Sequence, residues 1–197
     1  MRLRPAEPAD AQALTEICIR TGHRGRDARG VYTAPDLLAE MYLRPYLELA
    51  LPWCFVGEDD GGPAGYVVGT PDTRHFARAA NAHCWPALRA QHPLPAADDT
   101  GPQAQLVRAL HRGTPTDLPF LASHPAHLHI DLLPRAQRQG HGARLLARFI
   151  EALQAGGVAG VHLGVSAHNP GAIAFYRRAG FATLQDAGWG LWMGRRC

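Results

Sequence analysis

The chain has 197 residues, of which 46% are hydrophobic and 19% charged, so it can form one domain with a buried core and wholesale disorder is excluded. Its 20 basic side chains are all arginine, and with 17 acidic residues they leave a net charge of +3, which is too weak and too evenly spread to indicate nucleic-acid binding. No apolar run is long enough to span a membrane, and the first ten residues lack the apolar stretch of a secretory signal.

The first fifty residues predict a short strand followed by two helical segments. Alternation over residues 2–4 indicates a strand. Pro8 is suited to the first turn of a helix, and the residues after it carry an apolar stripe at helical spacing. Helical spacing resumes over residues 36–49, where Pro45 disturbs the pattern.

The middle of the chain predicts a hairpin followed by an insertion. Residues 53–56 and 66–70 are apolar runs separated by the turn-forming sequence EDDGG, which favours an antiparallel hairpin. Residues 71–125 are broken by prolines and are too long for a structureless loop in a compact domain. We therefore expect a structured insertion with helices over residues 74–91 and 103–111.

The last third of the chain predicts strands and helices in turn. Predicted strands cover residues 127–133, 161–165, 181–184 and 191–193, and predicted helices cover residues 142–154 and the segment from 169 to 180. A strand, a glycine turn, a helix and a second strand form a crossover unit. The first two of these strands should therefore be parallel neighbours.

The turn QRQGHG, residues 137–142, joins the first of these strands to its helix. Glycines let main-chain N–H groups approach a ligand closely, and the start of a helix adds partial positive charge, which together suit a pyrophosphate. Taken alone, the pattern also fits an ordinary strand-to-helix turn. It lacks the Gly-Lys-Ser/Thr of a P-loop, and Leu145 stands where a dinucleotide-binding fingerprint has its third glycine.

About thirty residues further on, the second parallel strand is followed by NPGAIAFYRRAGF, residues 169–181. With both segments in this order and at this separation, the chain resembles the GNAT superfamily of acetyl-CoA-dependent N-acetyltransferases. QRQGHG is similar to the family's Gln/Arg-x-x-Gly-x-Gly/Ala pyrophosphate loop, and NPGAIAFYRRAGF is similar to its second acyl-CoA segment. This resemblance implies an α/β fold with a mixed central sheet, flanked by helices, whose parallel strands splay apart.

A narrower resemblance covers most of the chain. YTAPDLL, GYVVGTPDTRHF, CWPALRAQHP and HLHIDLLP are similar to bacterial relatives of the acetyltransferase-like domain that ends eukaryotic O-GlcNAcase. A chain of 197 residues is too short to hold that enzyme's hydrolase barrel as well, so glycosidase activity is not implied. The same resemblance implies that the eukaryotic domain has lost the pyrophosphate loop. This chain retains the loop, which favours genuine acyl-CoA binding.

The GNAT resemblance implies acetyl-CoA as co-substrate without a metal, and an amine acceptor. A small amine, an aminosugar, a peptide amine and a protein lysine all stay open as that acceptor. The resemblance also implies that the main chain around Ile130 and Leu132 binds the thioester carbonyl, and that Tyr176 is the general acid. The residues implied to bind the cofactor are Ile130, Leu132, Leu133, Gln137, Arg138, Gly140, His141, Gly142, Ala143, Asn169, Ala172 and Tyr176.

The general base is open among three side chains. Alternation puts His127, His129 and Asp131 on one face of their strand, with Asp131 nearest the expected acyl group. Asp72, just after the hairpin, is expected in the same cleft. We rank Asp131 first, Asp72 second and His129 third, and keep the alternative that Asp131 only caps main-chain N–H groups while water relays the proton. Two imidazoles without a third ligand nearby do not predict a metal site.

Two further segments are assigned to the cleft. The insertion is expected to form a wall of the acceptor cleft, with Phe76 and Trp85 as its buried anchors. The loop that carries Arg24, Arg26 and Arg29 has two interpretations. It faces an acidic substrate or the cofactor phosphates, or it is simply a solvated loop.

The four cysteines lie far apart, without the paired spacing of zinc or redox sites, and we expect free thiols in a reducing cytoplasm. None stands in a motif suited to a covalent intermediate. The prediction is therefore a single domain, residues 1–197, that transfers acetyl directly to an amine. The alternative is a non-catalytic acyl-CoA-binding or interaction module. We expect no nucleic-acid or membrane partner and leave a homodimer open.

Overall fold

The computed structural model describes residues 1–197 and contains one seven-stranded sheet with helices packed on both faces. The strands are β1 (Arg2–Pro5), β2 (Phe55–Asp59), β3 (Gly62–Thr70), β4 (Ala126–Leu132), β5 (Gly160–Ser166), β6 (Ala182–Asp186) and β7 (Gly190–Arg196). The helices are α1 (Ala11–Thr21), α2 (Asp36–Tyr42), α3 (Arg44–Leu49), α4 (Thr73–His83), α5 (Trp85–Gln91), α6 (Pro102–Arg112), α7 (His141–Ala155) and α8 (Pro170–Arg178). This mixed sheet flanked by helices confirms the predicted fold class.

The strand order is β1-β2-β3-β4-β5-β7-β6, and every neighbouring pair is antiparallel except β4 with β5. The hairpin of β2 and β3 and the crossover from β4 through α7 to β5 both agree with the sequence predictions. The two parallel strands pair at only two positions, Ala126 with Val161 and His127 with His162. Beyond these pairs the strands separate, so the main-chain N–H and C=O groups of one strand no longer hydrogen-bond to those of the other.

Neighbouring residues of β3 enter two different hydrophobic cores. Tyr66 and Val68 belong to a core that includes side chains of α1, α2 and α3, whereas Val67 belongs to a core beneath α7. This follows from the two-residue period of a strand, which sends successive side chains to opposite faces of the sheet.

The predicted helix over residues 36–49 is broken at Leu43, not at Pro45. Leu43 has φ −131° and ψ −62°, and α3 starts directly after it with Pro45 in its first turn. A proline is tolerated there because the first N–H groups of a helix have no partner within the helix. A continuous helix would need an N–H at position 45 to bond to the Met41 carbonyl, and proline lacks that N–H while its ring clashes there, so α2 ends before Pro45.

The insertion contains three helices instead of two. The predicted helix over residues 74–91 divides at Cys84, because Pro86 occupies the first turn of α5. Phe76 and Trp85 are only 2% and 4% exposed, and both join the core that includes α1, α2 and α3. The insertion is thus attached to the rest of the chain by the apolar anchors that the sequence indicated.

The longest helix, α7, covers the other face of the sheet with 15 residues. Its buried side chains are Leu145, Leu146, Phe149, Ile150 and Leu153. Burial of side chains of this size is worth about 1.5–3 kcal/mol each, so this one stripe holds the helix firmly on the sheet and fixes the position of its N-terminus. None of the helices has the length and apolar character that crossing a bilayer requires.

Candidate active site

Two cavities meet where β4 and β5 separate. The first, of about 1000 Å³, borders the N-termini of α7 and α8. The second, of about 550 Å³, lies against the insertion and the tryptophans of the β7 region. Both are lined by the same residues of the two strands, namely Leu128, His129, Asp131, Leu163, Gly164 and Ser166. A molecule in one cavity therefore contacts the same strand segments as a molecule in the other.

Main-chain donors of β4 face the gap between the strands. The N–H of Leu133 donates to the carbonyl of Ala64 beside β3 at 2.8 Å. Since main-chain groups of a strand point to alternate edges, the N–H groups of Ile130 and Leu132 point the other way, toward β5. β5 has diverged at this level, so these donors have no partner on that strand, and the binding of a ligand oxygen by Ile130 and Leu132 stays a prediction. The prediction for Leu133 is wrong, because its N–H is used by the sheet and its side chain is buried in the core of α1, α2 and α3.

The turn before α7 presents unpaired main-chain N–H groups. Arg138 and Gly140 have left-handed φ angles of 60° and 78°, and the first hydrogen bond into the helix runs from Arg144 N–H to the Gly140 carbonyl. The N–H groups of residues 138–143 donate to no main-chain acceptor. Donors that converge at the positive end of a helix form a binding site for phosphate oxygens. Glycine is favoured at position 140 because an L side chain is strained at that φ by about 1–2 kcal/mol, a cost that Arg138 bears in the same turn.

The side chains of this turn do not all face the first cavity. The cavity is lined by the residues Gln137 and Arg138. It is also lined by Gly140, Gly142 and Ala143, whose small size leaves the main chain accessible. Gln137 Nε2 also donates to the Leu132 carbonyl at 2.8 Å, which ties the turn to β4. The imidazole of His141 is not part of the lining, and its Nδ1 atom is buried without a partner. Only the main-chain N–H of His141 is therefore available to a ligand.

The start of α8 completes the wall of the first cavity. Asn169 caps this helix, because its Oδ1 accepts from the Ala172 N–H at 3.1 Å, and both residues line the cavity. Tyr176 lies one turn further along and also lines it, at 8% exposure between the rings of Phe175 and Phe181. Burial raises the pKa of Tyr176 well above its usual value, so its hydroxyl keeps its proton at neutral pH.

Asp131 lies between the two cavities and lines both. Its Oδ2 accepts a hydrogen bond of 2.7 Å from the hydroxyl of Tyr66, which is fully buried on β3 directly opposite. Burial raises the pKa of Asp131, and this hydrogen bond opposes the rise. The carboxylate is thus a stronger base than an aspartate in water, and it is held at the gap between the strands.

The two histidines of β4 share one tyrosine. The Thr73 hydroxyl donates to the Pro125 carbonyl at 2.7 Å, so His127 Nδ1, 2.7 Å from Thr73 Oγ1, carries a proton and donates. His127 Nε2 then accepts from the Tyr46 hydroxyl at 2.7 Å, and the Tyr46 oxygen accepts from His129 Nε2–H at 3.1 Å. This chain of donors fixes the tautomer of His129 and leaves its Nδ1 with a free lone pair.

Burial lowers the pKa of both histidines. That of His129 falls to about 4, and that of His127 falls well below its usual value. Both imidazoles are neutral at pH 7 and are weaker bases than histidine in water. No set of three His, Cys, Asp or Glu side chains comes together as a metal site, and the Nε2 atoms of both rings bind Tyr46.

Asp72 does not enter the cleft, so that prediction is wrong. It is exposed at the start of α4, and its Oδ1 accepts from the His75 N–H at 2.9 Å. It lines neither cavity. The physical reason is the direction of the chain after β3, where the carboxylate is used as a helix N-cap.

The structure separates the arginines of the loop after α1. Arg24 and Arg26 line the first cavity, and neither belongs to a salt bridge. Arg29 instead pairs with Glu16 and Asp27 on the surface. Arg178 of α8 also lines the first cavity and was missed by sequence reasoning. The first cavity therefore carries several cationic side chains beside the unpaired N–H groups of the turn.

Tyr66 and Tyr46 were also missed. Each is a large apolar residue at a position that is expected to be buried, and nothing in its local pattern marks it as a partner of a polar group. A signal for Tyr66 exists only once the register of β3 against β4 is known, because that register places it opposite Asp131. Tyr46 meets the histidines only through the packing of α3 on the sheet.

Three comparisons relate the chain to known proteins. Residues 105–181 match the family model described as the acetyltransferase (GNAT) family. The crystal structure of SsHAT is similar with a TM-score of 0.92 and 39% identity, covering 99% of this chain and 97% of that one. The chain is also 25% identical over 180 residues to protein O-GlcNAcase of Rattus norvegicus, covering 90% of this chain but spanning only 20% of the length of that relative.

A more distant structure shares the fold. The PaiA N-acetyltransferase of Thermoplasma acidophilum, solved in complex with coenzyme A, is similar with a TM-score of 0.60 and 14% identity. The similarity covers 100% of this chain and 98% of that one.

Proposed function

The chain belongs to the GNAT family of acetyltransferases, and from that premise we propose that it transfers an acetyl group from acetyl-CoA directly to the nitrogen of a small amine. The observation that carries this proposal is the meeting of two cavities at the gap between β4 and β5. One cavity suits a long, phosphate-bearing molecule, and the other suits a compact one. Their shared strand segment is the place where reacting groups from both sides come into contact.

The first cavity fits acetyl-CoA by its chemistry. The unpaired N–H groups of residues 138–143 are suited to the pyrophosphate, and the arginines Arg24, Arg26 and Arg178 add positive charge for the remaining phosphate. Ile130 and Leu132 supply main-chain donors for the pantetheine arm and for the oxygen of the thioester. Bound there, acetyl-CoA supplies an acetyl group whose carbonyl carbon accepts the amine nitrogen as its carbon–sulfur bond breaks.

We assign the general base to Asp131. An alkyl ammonium has a pKa near 10, so exposing its lone pair at neutral pH costs roughly 4 kcal/mol unless a base removes the proton. Asp131 lines both cavities, and burial raises its pKa, which brings the carboxylate closer to the strength that this proton transfer needs. His129 is the weaker candidate, since burial lowers its pKa to about 4. We assign it the role of orienting the amine through its free Nδ1 lone pair.

We assign the general acid to Tyr176. Its hydroxyl keeps its proton because burial raises its pKa, and it lines the first cavity at the end where the sulfur is expected. The sulfur leaves with the electrons of the broken bond and takes one proton from Tyr176. The amine nitrogen gives up two protons in forming the amide, so transfer releases one proton net, and Tyr176 regains its proton from the one held on Asp131 or from solvent.

Direct transfer is supported by the state of the cysteines. Cys18 lines the second cavity, but burial raises its pKa to about 12, so its thiolate is scarce at neutral pH. Cys54 is buried with a pKa raised to about 12, and Cys84 and Cys197 line neither cavity. None of them suits a covalent acyl-enzyme intermediate.

The proposal is tested in two steps. Acetyl-CoA at one hundred times its Kd is expected to stabilise the protein by about 2.7 kcal/mol, which raises Tm by about 5–10 °C for a chain of this size. Thiol release in the presence of a panel of amines then measures transfer. Absence of thermal stabilisation contradicts the cofactor site, and stabilisation without thiol release for any amine indicates a binding module in place of an enzyme.

A further inference from the structure

The second cavity is lined mainly by aromatic and other apolar side chains, and its volume of about 550 Å³ suits a small molecule. Its aromatic and imidazole lining consists of Tyr42, Tyr46, Trp85, His127, His129, His162, Trp189 and Trp192. The lining contains one carboxylic acid, that of Asp131, and one guanidinium, that of Arg112. The cavity therefore has an apolar body with one acidic and one basic position.

Arg112 stands at the end of α6, away from the gap between the strands. It is the last residue of that helix and it forms no salt bridge and no side-chain hydrogen bond. Arg108 of the same helix shows the contrast, since its guanidinium donates to the carbonyls of Ala96 and Asp99. Arg112 is a cation that lines a cavity without a partner within the chain.

A second donor without a partner lies near Gly113, the residue that follows Arg112. Trp85 is 4% exposed, and its indole Nε1 is buried without an acceptor. This atom lies 3.9 Å from the position that a Cβ on Gly113 would take, and Arg89 Nη2 lies 3.2 Å from the same position. Asn81 Oδ1 lies 3.7 Å from the same position, but it already accepts from Arg89 Nη2 at 3.3 Å. Because leaving the buried N–H of Trp85 unsatisfied is costly, the neighbourhood of Gly113 favours an additional oxygen acceptor.

Tyr42 connects the two ends of the cavity. Its ring lies 5.3 Å from the ring of His129 between centroids, next to Asp131 on β4. Burial raises the pKa of Tyr42 to about 12, and the nearby positive charge of Arg112 opposes that rise. Asp131 and Arg112 line the same cavity as this ring, so a ligand in this cavity has one carboxylate and one guanidinium among its surrounding groups.

We propose, on the basis of the proposed function, that the acceptor is a small amine with an apolar body and a carboxylate at the end opposite its nitrogen. The amine lies at Asp131 and the carboxylate lies at Arg112, beside Trp85 Nε1–H. A planar guanidinium pairs with a carboxylate through two parallel hydrogen bonds, which no lysine or neutral donor reproduces. Arg112 is thus a specificity-determining residue for the acceptor.

The test compares amines that differ only at their far end. Each ω-amino carboxylate of four, six or eight carbons is assayed against the alkylamine and the α,ω-diamine of equal length, with thiol release as the readout. For the best-fitting length we expect kcat/KM for the amino carboxylate to exceed that of the alkylamine by about 10- to 100-fold, mainly through KM. The diamine is expected to be the poorest of the three, because its second ammonium faces Arg112.

Charge reversal gives the decisive variant. In Arg112→Glu the order is expected to invert, so that the diamine is used better than the amino carboxylate of the same length. Arg112 is exposed, so folding is not at risk. Arg78→Glu makes the same charge change at an exposed position that lines neither cavity, and it should keep the wild-type order. Trp85→Phe replaces the indole with a smaller aromatic ring that has no N–H, and it is expected to reduce the preference several-fold.

Binding provides a readout that is independent of turnover. In the presence of CoA, the amino carboxylate should raise Tm of the wild-type protein and fail to raise that of Arg112→Glu. Equal use of all three amines, or an unchanged order in Arg112→Glu, overturns the carboxylate assignment and leaves the proposed function intact. If acetyl-CoA stabilises the protein but none of the amines releases thiol, the proposed function fails and this inference fails with it.

Discussion

Substitution of Tyr66 by phenylalanine tests whether Asp131 is the base. The Tyr66 hydroxyl stabilises the ionised carboxylate through a hydrogen bond of 2.7 Å, and its ring is fully buried, so phenylalanine fills the same space and removes only the donor. A hydrogen bond to a charged group is worth about 1.5–3 kcal/mol. Since one pKa unit is 1.36 kcal/mol, loss of this bond raises the pKa of Asp131 by about 1–2 units above its already raised value.

The assay is the pH dependence of kcat/KM for acetyl transfer. A base acts in its ionised form, so a higher pKa of Asp131 moves the acidic limb of the profile to higher pH by about 1–2 units. Below that limb the variant should be slower than wild type by about 10- to 100-fold, and at high pH the two should converge. Tyr32→Phe removes a hydroxyl that bonds to no side chain and serves as the matched control. A profile of Tyr66→Phe that overlays wild type, or that moves to lower pH, refutes the assignment.

Three further predictions concern the acid, the cofactor and stability. Tyr176→Phe is expected to lower kcat by about 100-fold or more while the Kd for acetyl-CoA stays unchanged, and full turnover in this variant rules out Tyr176 as the acid. Arg24→Ala is expected to weaken CoA binding by about 5-fold at low salt and less at high salt, whereas the surface-paired Arg29 tolerates alanine without effect, as titration calorimetry will show. The free energy of unfolding should fall as pH drops from about 6.5 toward about 4, because His127, His129 and His162 take up protons near pH 6.5 only in the unfolded chain. Urea titrations over this range should give a slope of about 3–4 kcal/mol per pH unit, since the raised pKa of Asp131 offsets part of the three-proton effect, and a flat profile contradicts the neutral buried imidazoles.

The chemistry of single segments could be predicted from the sequence. QRQGHG carries its own turn, since Arg138 and Gly140 both adopt left-handed φ angles and the helix that follows supplies the unpaired N–H groups. Strand alternation placed His127, His129 and Asp131 on one face, and all three contact groups on that face of the sheet. Both results depend only on local geometry, which the order of residues encodes directly.

Roles that depend on a distant partner were beyond the sequence. Asp72 was expected in the cleft but caps α4, because the direction in which the chain leaves β3 decides where its carboxylate points. Leu133 was expected at the cofactor but uses its N–H in the sheet. The single predicted helix over residues 74–91 bends at Cys84, a boundary that the nearby proline indicated and that helical spacing alone concealed.

By itself the sequence predicted the order of strands and helices, the glycine turn before α7 and the polar face of β4, since each follows from a period or a turn that is complete within a few residues. The fold class and the phosphate-binding role of that turn were predicted through the resemblance of two segments to the GNAT family. Only the tertiary structure decided that Tyr66 supports Asp131, that Arg24 and not Arg29 lines the first cavity, and that Arg112 and Trp85 line the same second cavity. These pairings join residues far apart in the chain. Strand register and helix packing create them, and neither can be predicted from the residues within a few positions of each partner.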